Sequence, residues 1–255
     1  MKRREKSFLG AFILSLGLML MQYIPLEWRP LGMVIFTVVT YLVTAWVLFD
    51  NLDGVEWMTI VPMPALYTAS ISSFYFLLPE SVIAQAIIVS IFGLGMYALL
   101  LAGNILTIAK TRTIQLLRAA QAVIFFFSLI AALLAFNTLF SLGWLFIWNA
   151  LIAWGIGILL SFCFYWSIRL GKNISREVFG LTLRTGTLLG FLAGIVSFFP
   201  GNLWPTSLLL MGAMYTMLGV GQSALEEKLF TNTVREYLGV FVGVVIMFFV
   251  LLPWK

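Results

Sequence analysis

Residues 119 to 168 contain no aspartate, glutamate, lysine or arginine, and neither do residues 185 to 225. Runs of this kind leave a chain few folds. A helix needs roughly 20 apolar residues to cross a hydrocarbon core of about 30 Å, and inside lipid every peptide N–H and C=O must be paired within the chain. Each run is too long for one crossing, so each is expected to fold back as two helices. Turn formers mark the reversals: Asn137, Ser141 and Gly143 in FNTLFSLGW, and Gly201 with Asn202 between the two prolines of FPGNLWP.

The same rule predicts an all-α polytopic transmembrane bundle of about nine spans, approximately 7–24, 31–49, 58–78, 81–109, 119–138, 144–168, 179–199, 204–225 and 238–254. Pro79 and Glu80 separate the third span from the fourth. Composition agrees: of 255 residues 62% are hydrophobic and 10% charged, and the mean hydropathy is +1.06, far outside globular usage. MKRREK followed by Ser7 to Ile24 has the charge and apolarity of a secretory leader, but LMLMQYIPLEW offers no small-residue cleavage site, so this segment is expected to be a retained first span. No linker or soluble domain interrupts the chain, and 1–255 reads as a single integral membrane domain.

Lys and Arg set the sidedness. With the amino terminus cytoplasmic, Lys2, Arg3, Arg4 and Lys6, then Lys110, Arg112 and Arg118, then Arg169, Lys172, Arg176 and Arg184, then Lys228 and Arg235 all fall inside, leaving Arg29 and Lys255 outside. Nine crossings place the carboxyl terminus outside. Tryptophans near span ends, among them Trp28, Trp57, Trp144, Trp166, Trp204 and Trp254, suit interfacial anchoring. The loop 50–57 carries no cation and gives no orientation signal of its own.

Several chemistries are excluded by what is missing. There is no histidine, which removes Ser-His and Cys-His nucleophile pairs, His-ligated zinc and axial-histidine haem. The single cysteine, Cys163, supplies neither an internal disulfide nor a thiolate cluster. A net charge of +5 is no pointer to nucleic acid, because the cations sit at span ends, where anionic lipid is the nearer partner.

FDNLDGVEW spaces Asp50, Asp53 and Glu56 three residues apart, which would put three carboxylates on one broad helix face if the second span continued past Phe49. Such a face could hold Mg²⁺ against a diphosphate. In span number, amino-terminal side and an Asp-rich stretch after span two, the chain resembles the membrane prenyltransferases of the UbiA superfamily. That resemblance implies Mg²⁺ and an isoprenyl diphosphate bound between this stretch and a second one after span six. Here the second stretch is RLGKNISREVFGLTLR, with Glu177 and no aspartate, a departure from the family pattern. The plainer reading is a hydrated acidic turn, which Gly54 favours.

KTRTIQLLRAAQA (110–122) reads either as an amphipathic inner-leaflet helix whose Arg112 and Arg118 meet lipid or phosphate, or as topogenic charge alone. Arg184 is the one cation expected to enter a span, since Thr185 to Phe199 gives only about 22 Å of apolar helix; it either snorkels or contacts an anion. Gly186, Gly190 and Gly194, and Gly239 with Gly243, form GxxxG rows expected to pack helices within the chain or between copies. EEKLFTNTVREY reads as a solvated helix extension with local pairing. Asn104, Gln121, Asn149 and Gln222 are candidates for hydrogen bonds between helices. Apart from Arg184 no charge lies well inside a span, which disfavours ion-coupled transport.

ALLLAGNILTIAKTRTIQLLRAAQAVIFF and LEEKLFTNTVREYLGV resemble an uncharacterised family of multi-span proteins of candidate-phylum bacteria. The resemblance implies a bacterial plasma (inner) membrane and no particular activity. The reading that follows is a non-catalytic membrane subunit or carrier without cofactor, partnered by lipid and by other subunits or itself. The alternative is a lipid or prenyl transferase using Mg²⁺ at Asp50 and Asp53.

Overall fold

The computed structural model describes residues 3–49, 52, 54–77, 81–109, 116–171, 173–199, 201–228 and 230–252. Among them there is no strand. The helices are α1 (Arg3–Leu20), α2 (Arg29–Leu48), α3 (Glu56–Thr59), α4 (Pro62–Tyr75), α5 (Val82–Ala109), α6 (Leu117–Ser141), α7 (Phe146–Arg169), α8 (Arg176–Val196), α9 (Leu203–Leu225) and α10 (Thr231–Val250). Eight of the described helices, all but α3 and α4, are long and apolar enough to cross a membrane. The chain is a multi-span helical membrane protein. Its outward surface is hydrocarbon, with Ile83, Leu94, Phe191 and Val250 all at least 70% exposed, as lipid and not water requires.

Both predicted reversals are present. α6 stops at Ser141 and the chain turns through Gly143, whose φ of 62° suits glycine; α8 and α9 are separated by the segment holding Gly201 and Asn202. The third predicted span, 58–78, is different. It is two helices, α3 and α4, and α4 has only 14 residues. The cause lies in VPMP: Pro62 and Pro64 have no N–H to give, so the helix entering through α3 stops and another starts with Pro62 in its first turn. Val61 N–H reaches back five residues to the Glu56 carbonyl instead. Ile60 and Val61, at the break, are buried, the condition under which broken backbone is tolerated at membrane depth.

Two compact units divide the chain, Met1–Phe127 and Ser128–Lys255, with the division inside α6. In the first, α1 packs on α2 and α5, and α4 lies against α2 and α5. The α4 ring of Tyr67 stacks on Phe92 of α5 at 5.7 Å and meets Phe127 edge-on, filling the space that Gly95 leaves open. In the second, α7 and α8 form the most extensive pair, α9 touches both, and α10 packs on α9. Gly186 and Gly190 explain the α7–α8 approach. A Cβ at Gly190 would come 2.9 Å from the Ala150 carbonyl oxygen, and one at Gly186 would come 3.0 Å from that of Trp154. Gly194 makes only ordinary contact with Ala150, while Gly239 and Gly243 face no described atom within 4 Å.

Buried hydroxyls inside the helices are returned to their own backbones. Thr40, Thr68, Ser70, Ser207 and Thr216 each donate to the carbonyl four residues earlier at 2.7–3.0 Å, which removes the desolvation cost of an unpaired O–H. Replacing Gly190 by Leu is expected to lower stability by about 1–3 kcal/mol through overpacking against backbone. Gly155→Leu, on the open side of α7, is expected to melt near the wild type; thermal unfolding in detergent compares them.

Candidate functional site

Asp50 and Asp53 lie outside the described residues. α2 ends at Leu48, and Gly54 turns with φ 33°, so α2 does not continue as one helix to Glu56. Glu56 heads α3 and is fully buried, a position in which a carboxylate needs polar partners. Arg112 lies outside the described residues, and Arg118 is exposed in the first turn of α6.

Arg184 is placed differently from a charge adrift in hydrocarbon. Just beyond it on α8, Thr185 contacts Tyr165 of α7 at 3.0 Å, and Tyr165 Oη donates to the Met217 carbonyl of α9 at 2.8 Å. The tyrosine's one proton goes to that carbonyl, so Thr185 is the donor of the first bond. The Tyr165 ring lies against Gly221, and the α10 ring of Tyr237 against Gly219; Thr216 Oγ1, whose proton goes to the Gly212 carbonyl, stands 3.3 Å from the Tyr237 carbonyl. Tyr165, Thr185, the turn Met217–Gly221 and Tyr237 therefore form one layer across four helices. Every described charge of this unit lies on one side of it: Arg169 on α7, Arg176, Glu177 and Arg184 on α8, Glu226, Glu227 and Lys228 after α9, and Arg235 and Glu236 on α10. Arg184 stands at the polar edge of an apolar slab.

At that end α7, α8 and α9 enclose a hollow of about 360 Å³. Arg169 lines it from α7, Arg176, Glu177 and Arg184 from α8, and Glu227 from beyond the end of α9; Gly180, Leu181, Ala224 and Leu225 complete the lining. Arg169 Nη2 is 2.6 Å from Glu177 Oε2, and both side chains are solvated, so the pair adds little stability. Arg176 and Arg184 have no ion-pair partner among the described residues. Two of the three helices bordering the hollow, α7 and α9, are followed within two residues by a non-glycine residue with positive φ, Leu170 at 47° and Glu227 at 58°, a backbone choice that costs about 1–2 kcal/mol. Lys228 pairs with Glu226 at 3.1 Å, and Gln222 donates to the same carboxylate at 2.9 Å, the local pairing expected of EEKLFTNTVREY.

The first unit has a hollow of about 370 Å³ with no charge among its described lining residues. Gln22 and Tyr23 face Tyr75 of α4 and Gln85 and Ser90 of α5, with the Tyr75 hydroxyl 3.5 Å from Gln22 Oε1. Nearby in sequence Arg29 stands 5.0 Å over the Phe76 ring. Among the amides named from sequence, Asn149 joins helices, donating to Ser197 Oγ at 3.1 Å and to the Trp144 carbonyl at 3.2 Å.

No family model matches the chain, and no match is found among curated proteins or solved structures. Sequence reasoning named Arg184 but treated Arg169 and Arg176 as orientation charges and passed over Gly180. The signal was present: Arg176, Gly180 and Arg184 are four residues apart, one stripe of a helix. Tyr165→Phe, which removes the central hydroxyl of the layer, is expected to cost only about 1 kcal/mol, because Thr185 can turn to its own backbone. Unfolding in mixed micelles measures it.

Proposed function

We propose that this chain is a non-catalytic subunit or carrier of a bacterial plasma membrane. It is a single integral membrane domain crossing nine times, amino terminus cytoplasmic and carboxyl terminus outside. The bacterial setting rests on the family resemblance. The crossing beyond the eight long helices is α3 with α4, a broken path shielded by α2 and α5: it begins at Glu56, passes Ile60 beside Gly103 of α5 and ends at Tyr75 beside Gln22. The cation-rich ends of the helices face the cytoplasm in this arrangement.

The observation that carries the reading is where ionisable groups stand. In the long helices of the first unit the described charges occupy first turns only, and in the second they lie beyond the Tyr165 layer. Ion-coupled transport and proton relay depend on charges at membrane depth; this bundle places hydroxyls and amides there. The hollow of the first unit, with no charge among its described lining residues, favours the carrier, since Gln22, Gln85, Tyr75 and Ser90 can hydrogen-bond a neutral or zwitterionic solute. Other membrane subunits, or further copies of the chain, are the partners of the scaffold form. One observation favours the transferase instead: Glu56 is fully buried directly after Asp50 and Asp53, and a carboxylate withdrawn from water there would support Mg²⁺ and an isoprenyl diphosphate.

Two measurements test this. In a Cys163→Ala background, an impermeant maleimide added to intact cells should label Asn202→Cys and not Asn173→Cys; the reverse pattern overturns the orientation. In liposomes, a non-catalytic chain binds isoprenyl diphosphate no better with Mg²⁺ than without. Mg²⁺-dependent binding abolished by Asp50→Asn with Asp53→Asn would establish the transferase, and solute flux lost in Gln22→Ala with Gln85→Ala would select the carrier.

A further inference from the structure

We propose that α8 carries a binding site for an anionic phospholipid, its phosphate seated between Arg176 and Arg184 over Gly180 and its acyl chain lying along the same helix face.

Four observations converge on this. First, Arg176, Gly180 and Arg184 follow one another at four-residue steps, so the two guanidinium stems rise about 12 Å apart on one stripe with a residue lacking a side chain between them. A Cβ at Gly180 would meet no atom within 4 Å; the notch is open. Second, these two arginines are the available cations of the hollow. Arg169 is held by Glu177, whereas Arg176 and Arg184 have no ion-pair partner among the described residues. A guanidinium presents its N–H groups as a planar fork that fits phosphate oxygens in pairs. Glu227 also lines the hollow, and three arginines against two glutamates leave it net positive.

Third, the hollow is lined by apolar Leu181, Ala224 and Leu225 as well as by its charges. Free phosphate gains nothing from that apolar lining, but the glycerol and first methylenes of a lipid do. Fourth, the cationic stripe continues into an apolar one. Leu188, Phe191 and Ile195 follow Arg184 on the same face of α8, and they are 48%, 70% and 44% exposed. Read from Arg176 to Ile195, one helix face presents cation, notch, cation and then hydrocarbon, which is the order of charge and apolarity along a phospholipid entering the leaflet. The Tyr165–Thr185 layer puts Arg184 at the boundary between the two halves. The inference depends on the chain spanning the membrane, and holds whether it carries, scaffolds or catalyses.

The test uses the purified full chain in detergent and measures binding of phosphatidic acid against phosphatidylcholine of the same acyl composition by native mass spectrometry. Thermal unfolding of every variant shows that it is folded. The wild type should prefer the anionic lipid. Arg176→Gln with Arg184→Gln should weaken that preference about thirty-fold, from the loss of two interfacial cations. Gly180→Leu keeps all charges, fills the notch and should weaken it as well. Arg235→Gln, an exposed arginine at the same end on α10, should leave it unchanged. Equal binding by Gly180→Leu and wild type, or an equal loss in Arg235→Gln, would mean that diffuse positive charge attracts the lipid, and overturns the site. Soluble glycerol phosphate should compete poorly; full competition at the concentration of the lipid would show that the headgroup alone is read, and overturns the lipid assignment.

Discussion

Lipid does not hydrogen-bond, and that single deficiency governs this structure. A peptide group in hydrocarbon that is left unpaired costs several kcal/mol, so the chain is driven into helices wherever it meets acyl chains. Side-chain hydroxyls obey the same rule when they curl onto the carbonyl four residues earlier, as Thr40 and Thr216 do. Among the described residues the long-helix pattern lapses between α3 and α4, a place sheltered from lipid. Proline at positions 62 and 64 breaks the ladder, and the buried side chains of Ile60 and Val61 show that neighbouring helices occupy the surface where lipid would otherwise lie.

Once helices are imposed, what selects their neighbours is how closely backbones can approach. Apolar side chains gain nothing by leaving lipid for one another, so packing depends on van der Waals contact and a few polar links. Gly186 and Gly190 bring α8 against the carbonyls of α7, and Asn149 ties the far ends of the same pair through Ser197. The second GxxxG row, Gly239 with Gly243, has the same composition and meets no described atom. Small residues permit close packing; the partner's position decides whether it happens.

The cluster at the end of α7, α8 and α9 follows from that pairing. Arg169 and Glu177 are eight residues apart in the chain and 2.6 Å apart in space because α7 and α8 run antiparallel around a short connection. The Tyr165 hydroxyl links three helices at the level where charge begins. Cations that sequence order alone would leave at separate helix ends are thereby drawn around one hollow, with Gly180 and apolar side chains in its lining. Charge, opening and apolar continuation are each ordinary at a membrane interface; their arrangement along a single face of α8 is particular to this bundle.

Much was legible beforehand because it is local. The length of an uncharged apolar run determines whether a helix can cross, so the reversals near Gly143 and Gly201 and the course of the long helices could be read from residue order, as could the gathering of Lys and Arg at alternate ends. The divided third segment was legible too, in VPMP, although its apolarity masked it. The tertiary structure alone decided which runs touch. It ended α2 before the acidic loop, buried Glu56, left Gly243 unmatched and brought Arg169 of α7 beside the α8 arginines. The physical reason is that crossing a membrane depends on a residue's own hydrocarbon, whereas a site needs side chains from separate helices, and their meeting is set by contacts between segments that carry no mark of one another in the sequence.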